Sequence, residues 1–260
     1  MVLKFYMGIC KLCLLEKKLI NAHIIPNFMY RGIKEKNYVF YNKDLETGKS
    51  WTQPKETGEF DSNILCGDCD NRIIEHKYEK YGKTVLFNDY TDTQNIGDFT
   101  ICRNIDYPKL KLFLLSILWR ASISRRPMFN GVKLEKKLEE RLRRVIYQSI
   151  VPKESEYAIM MFIDRNPVLK KFIDKPRYFP NVMGLNGYIF IFDSVQYIFF
   201  LNSTEVNIPK PFREIMLKEC GEFTYLHLKD GHLFKDFISR NQRANFNILA
   251  KLLIFLILIN

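Results

Sequence analysis

The sequence lacks the motifs of several common enzyme classes. It contains no glycine-rich phosphate-binding loop, no internal repeat, no low-complexity tract, and no serine, histidine and acid with the spacing of a hydrolase triad. Histidine is scarce, with 4 copies in 260 residues. Nucleotide binding through a P-loop and serine-hydrolase chemistry are therefore not predicted, and no catalytic motif is found after residue 90.

Long hydrophobic runs are also missing. The opening residues have no apolar stretch followed by a small-residue cleavage site, so we expect a reducing, cytoplasmic setting. The apolar run that starts at Leu252 is far shorter than the roughly 20 residues that a transmembrane helix needs. Membrane insertion is therefore not expected. This run is interpreted as a buried terminal element, or as a contact for a protein partner or a second copy.

Positive charge is in excess. The chain has 40 Lys and Arg against 29 Asp and Glu, a net charge of +11, and residues 91–150 carry 12 basic and 6 acidic side chains. This bias is compatible with a nucleic-acid partner, although an ordinary solvated basic surface has the same composition. The candidate contacts to phosphate are Arg120, Arg125, Arg126, Arg143 and Arg144.

Apolar periodicity predicts an α+β fold. Helical spacing covers residues 107–125 and 134–150, whereas aromatic and β-branched segments at 157–163, 187–193 and 196–201 predict strands of a mainly antiparallel sheet. The short connection between the last two segments predicts a hairpin. Helix and strand patterns thus occupy different parts of the chain.

Three parts are predicted from this distribution. Residues 1–90, which contain two Cys-x-x-Cys pairs, are expected to form a zinc-bound finger, residues 91–150 a helical segment, and residues 151–260 an α+β region with an antiparallel sheet. Within the last part, residues 232–258 are expected to be helical.

Two Cys-x-x-Cys pairs form the strongest motif in the sequence. CKLC supplies Cys10 and Cys13, CGDC supplies Cys66 and Cys69, and 52 residues separate the two pairs. Each tight turn presents two thiolates to one side, and two such turns complete a tetrahedral zinc shell. A structural Zn²⁺ site is therefore predicted, with redox-active pairs as the alternative. The other two cysteines are interpreted as buried thiols.

A histidine lies close to this motif, in NAHIIPNF, residues 21–28. The first cysteine pair leads into a short strand that carries His23, and the second opens a helix that contains Asp70 and is expected to end at Gly82. A zinc ion would thus hold His23 near the start of that helix. His23 is interpreted either as a general base or ligand, or as a packed structural histidine.

These elements together resemble the zinc-stabilised HNH nucleases, also called ββα-metal or His-Me finger nucleases, over residues 8–82. The resemblance implies a phosphodiesterase in which His23 takes a proton from water and Asp70, directly after the fourth cysteine, binds a catalytic Mg²⁺ or Mn²⁺. It also implies DNA in preference to RNA as the substrate, and a role with mobile elements or in defence against phages.

Two positions depart from the family pattern. The family has an acidic metal ligand directly before the histidine, where this chain has Ala22. The residue that orients the histidine falls at Asp61, with Asn63 two residues later. Replacement ligands are available on the following helix, at Glu75, His76 and Glu79. The alternative hypothesis is a catalytically degenerate zinc finger that binds nucleic acid or a protein partner.

Overall fold

The computed structural model describes residues 7–30, 39–43, 50–54, 58–87, 90–164, 173–182, 184–192, 194–202 and 208–228. Its strands are β1 (Met7–Ile9), β2 (Glu16–His23), β3 (Val39–Lys43), β4 (Ser50–Pro54), β5 (Phe60–Cys66), β6 (Thr93–Ile96), β7 (Phe99–Cys102), β8 (Ile159–Asp164), β9 (Ile173–Val182), β10 (Leu185–Phe192), β11 (Val195–Phe200) and β12 (Phe223–Leu228). The predicted α+β class is confirmed.

Four helices accompany the strands in the described ranges. Helix α1 has π-type hydrogen bonding over Asp68–Glu79 and α-type over Lys80–Phe87, and it is followed by α2 (Tyr107–Ile123), α3 (Lys136–Gln148) and α4 (Lys210–Ile215). The helices predicted at 107–125 and 134–150 are thus confirmed. None of the helices in these ranges has the length and apolar character needed to cross a membrane. The predicted terminal helix and the run from Leu252 lie outside the described residues.

The chain divides into two compact units, each assembled from several stretches. The first comprises Met1–Tyr30, Glu56–Thr91 and Ile105–Pro152, and the remaining residues form the second. The predicted boundaries at residues 90 and 150 differ from this division, because α2 and α3 pack with the cysteine-rich region instead of forming a separate segment.

The first unit combines a small sheet with three helices. Its strands follow the order β1-β2-β5, and both neighbouring pairs are antiparallel. Helix α2 begins with Asp106, whose carboxylate accepts a hydrogen bond from the Lys109 amide at 3.1 Å, and Pro108 occupies its first turn. Nearly every side chain from Leu110 to Ala121 is buried, so α2 is the core of this unit.

Gly82 does not end α1, contrary to the sequence prediction. The helix continues to Phe87, and Gly82 is buried against α2. A Cβ atom at this position would lie 2.4 Å from the ring of Phe113. The glycine therefore permits the close approach of two helices, a role that its local sequence does not distinguish from a helix stop.

The second unit contains a seven-stranded sheet with the order β6-β7-β12-β8-β11-β10-β9. Strand β12 is parallel to β8, and all other neighbouring pairs are antiparallel. The predicted hairpin between β10 and β11 is confirmed, with Ser194 in its turn at φ 68°. One face of the sheet buries a cluster that includes Phe162, Phe179 and Phe212.

Replacing Gly187 with alanine should destabilise this sheet. Gly187 lies in β10, and an added Cβ would be 2.0 Å from the carbonyl oxygen of Phe199 and 2.6 Å from the Phe179 ring. Because a backbone atom must move, we expect a loss of about 1–3 kcal/mol in the free energy of unfolding, measured by chemical denaturation. Gly97→Asn is the control, since nothing lies within 4 Å of Gly97 and asparagine tolerates its φ of 57°. Equal stability of the two variants would contradict the expected clash.

Candidate metal centre

The four predicted cysteines come together in the first unit. The sulfur atoms of Cys10, Cys13, Cys66 and Cys69 all lie within 4.8 Å of one another, and all but Cys13 are buried. A Zn–S bond of about 2.3 Å places the sulfurs of a tetrahedral site about 3.8 Å apart. The cluster can therefore hold a metal ion such as zinc. Among the described residues, it is the single group of three or more Cys, His, Asp or Glu side chains close enough to do so.

Backbone hydrogen bonds shape the first cysteine turn. The Leu14 amide donates to the Cys10 carbonyl at 2.9 Å, and Leu14 takes a φ of 61°. The Lys11 amide donates to the carbonyl of Ile64 in β5 at 2.8 Å, and the Cys66 amide donates to the Cys10 sulfur at 3.4 Å. Hydrogen bonds of the chain itself thus join the two cysteine turns. The Cys66 amide faces the Cys10 sulfur, an arrangement typical of thiolate ligands.

The thiols of the cluster influence one another strongly. A hydrogen bond from Cys69 lowers the pKa of Cys10 to about 4, against the effect of burial, and the same contact raises the pKa of Cys69. Burial raises the pKa of Cys66. The close contact among the sulfurs thus favours the ionised form of Cys10. Cations bind thiolates in place of protons, which is the chemistry of a cysteine-rich metal site.

An arginine supports the first turn from outside. Arg143 of α3 donates from Nη1 to the carbonyl of Leu12 at 2.6 Å, and its Nε pairs with Glu140 at 2.7 Å. Leu12 lies between the first two cysteines and is fully buried. Arg143 is also one of the predicted nucleic-acid contacts, and in the structure its guanidinium joins the first cysteine turn to α3.

His23 ends β2, opposite Phe60 of β5. It is half-buried, with Nε2 shielded from solvent, and its ring meets the edge of the Phe60 ring at a centroid distance of 6.5 Å. Its carbonyl oxygen accepts a hydrogen bond from Arg120 Nη1 at 2.7 Å. The preceding Ala22 is fully buried and stands opposite Asp61 in β5.

Asp70 lies in the first turn of α1, directly after the fourth cysteine, and is half-buried. Burial raises the pKa of Asp70 to about 6, while the positive charge of Arg120 opposes this shift and the negative charge of Glu79 adds to it. Asp70 therefore lies within electrostatic range of the same arginine that binds the His23 carbonyl. The structure thus places Asp70 in the first turn of the helix that follows the fourth cysteine, and its role as a metal ligand stays a prediction.

Asp61, the first candidate for the residue that orients His23, stands opposite Ala22 in the sheet. Its carboxylate is buried and accepts hydrogen bonds from the Asn63 amide at 2.9 Å, the Arg125 amide at 2.9 Å and the Ser124 hydroxyl at 3.4 Å. Asp61 therefore fixes the chain that follows α2. Asn63, the alternative candidate, is a half-buried residue of β5 near the register shift opposite Ile20 and Ala22.

Arg120 and Glu79 form a buried pair that the sequence did not predict. Arg120 Nη1 lies 2.8 Å from Glu79 Oε1, with side-chain exposures of 1% and 15%. Arg120 was predicted to contact nucleic acid, but its position in the core excludes this, because the side chain is closed off from solvent. Of the other candidate replacements for an acid at position 22, Glu75 and His76 are exposed on α1.

Three of the predicted phosphate contacts remain outside the core. Arg125 and Arg144 are exposed, and Arg126 is half-buried, with its Nε 3.1 Å from Glu59 Oε2.

Comparisons with known proteins add no family to this description. No family model matches the chain, no curated protein matches it, and no solved structure matches it.

Proposed function

We propose that this chain is a metal-dependent nuclease of the HNH type that hydrolyses phosphodiester bonds, with DNA as the favoured substrate. In this proposal the cysteine cluster holds a structural Zn²⁺, and Asp70 binds a catalytic Mg²⁺ or Mn²⁺. One observation supports it above the others. Strands β2 and β5 pair antiparallel, and Cys66 and Cys69 lie where β5 leads into α1; His23 ends β2, and Asp70 lies in the first turn of α1.

The chemistry follows from these two side chains. The imidazole of His23 would accept a proton from the attacking water, the role that histidine most often has in general-base catalysis. The carboxylate of Asp70 is a hard oxygen ligand of the type that Mg²⁺ and Mn²⁺ prefer. The cation would neutralise charge on the phosphate that reacts. Arg125, Arg126 and Arg144 would contact the nucleic-acid backbone, and we place the protein in the cytoplasm, in defence against foreign DNA.

Replacing His23 with alanine tests this proposal. We expect plasmid or single-stranded DNA to be cut by the wild-type protein in Mg²⁺ or Mn²⁺, and the variant to be slower by about 10²–10⁴-fold, the usual contribution of a general base. His227→Ala is the matched control, because His227 lies in β12 of the second unit and belongs to no predicted site. Equal loss in both variants, or full activity of His23→Ala, would contradict the role given to His23.

A catalytically degenerate zinc finger is the second candidate function. It is favoured by Ala22, which is fully buried opposite Asp61, an acid already engaged by the chain after α2. In that case both the wild type and His23→Ala would bind DNA, RNA or a protein partner without cutting. The same pair of proteins therefore distinguishes the two functions.

A further inference from the structure

A buried arginine connects three elements next to His23. From α2, Arg120 Nη1 donates to the His23 carbonyl at the end of β2 at 2.7 Å and lies 2.8 Å from Glu79 in α1. Its Nε donates to the Ser116 carbonyl at 3.2 Å and its Nη2 to the Ser116 hydroxyl at 3.3 Å. All three guanidinium nitrogens thus have a partner.

We propose that Arg120, neutralised by Glu79, is a positioning residue that sets the backbone, and with it the imidazole, of His23 for the reaction. This inference rests on the proposed nuclease function. It assigns no contact with substrate to Arg120, which acts through His23.

The cost of this arrangement supports the inference. Taking a guanidinium and a carboxylate out of water is unfavourable, and apolar side chains of similar size often stabilise a core equally well. The particular property of the guanidinium is its rigid fork, which reaches a carbonyl, a carboxylate and a hydroxyl at once. An ammonium group offers no such fixed geometry, so the choice of arginine points to orientation of the strand end.

The test uses variants that separate orientation from stability. Removing one partner would leave a buried charge, so the main variant is Arg120→Met with Glu79→Leu, which removes both charges together. Lys218→Met with Glu222→Leu, a pair 2.5 Å apart in the second unit, is the control. For each folded protein, zinc content, kcat and KM for DNA cleavage are measured in Mg²⁺.

We expect the double variant to keep its zinc and its KM, and to lose about 10²-fold in kcat, the effect of a displacement of about 1 Å at a reacting group. A purely structural role would leave kcat per folded molecule unchanged. If the double variant does not fold, Arg120→Lys, which keeps a cation beside Glu79, is judged by the same split between kcat and KM.

The two possible failures differ. If the wild type cuts DNA and the folded variant cuts it with the same kcat, the positioning role is wrong and the nuclease function stands. If the wild type cuts no nucleic acid while His23→Ala is equally inactive, the nuclease function itself fails, and the positioning role fails with it.

Discussion

Cys66→Ser is expected to lose zinc and much of the structure of the first unit. Cys66 is buried at the junction of β5 and α1, and its amide also contacts the Cys10 sulfur. A serine hydroxyl is a poor zinc ligand compared with a thiolate, so the four-sulfur shell cannot close. Metal analysis after dialysis should give well below one zinc per chain, and circular dichroism should show a loss of folded structure.

The expected size of this effect comes from comparing two free energies. Structural zinc sites contribute about 10–16 kcal/mol of apparent binding free energy, whereas a whole domain is stable by about 5–15 kcal/mol. Loss of even part of the metal contribution is therefore comparable with the total stability. We expect the first unit of the variant to be largely unfolded at 25 °C.

Cys220→Ser provides the matched control for this experiment. Cys220 is exposed and outside the cluster, so the prediction that it is a buried thiol is wrong, whereas Cys102 is buried as predicted. The control should keep its zinc and its thermal midpoint. If Cys66→Ser retained zinc and melted like the control, the cysteine cluster would not be a structural metal site.

Breaking the Arg120–Glu79 pair is the second change with a large expected effect. Arg120→Met leaves the carboxylate of Glu79 buried without its cation, and one-sided removal of a buried pair costs about 3–5 kcal/mol. The double change Arg120→Met with Glu79→Leu should recover most of this loss, because no buried charge remains. Urea denaturation of both proteins measures the difference.

Urea denaturation of Lys218→Met is the control, because it measures the loss of stability when a partly exposed ion pair is broken. Lys218 and Glu222 are partly exposed, at 24% and 30%, so their pair should contribute at most about 1 kcal/mol. If Arg120→Met were no more destabilised than this control, the buried pair would have little energetic importance. If the double variant were less stable than the single one, the argument from an uncompensated charge would be wrong.

The features that the sequence predicted correctly depend on short-range patterns. The cysteine pairs each need only a tight turn, and their number and spacing identified the cluster before its geometry was known. The helix from Tyr107 was predicted because apolar side chains recur at helical spacing within that segment. The antiparallel hairpin around Ser194 was predicted for the same local reasons.

The features that were missed depend on partners far away in the sequence. Arg120 is a charged residue within a helix, a combination typical of a surface side chain. Its burial depends on the carboxylate of Glu79, which lies in another helix. The hydrogen bond from the Arg125 amide to the Asp61 carboxylate was also not predicted, because the two residues are far apart in the sequence. Gly82 resembles a helix end until Phe113 is placed against it. Such pairings require the tertiary structure.

The position of β12 within the large sheet has a consequence for synthesis on the ribosome. This strand, Phe223–Leu228, lies between β7 and β8, although it is the last described strand of the chain. Until it has emerged, β7 and β8 each present an open row of backbone donors and acceptors. Completion of the sheet must therefore be a late event. Nascent chains halted upstream of Phe223 would expose unpaired strand edges, which are prone to aggregation without chaperones.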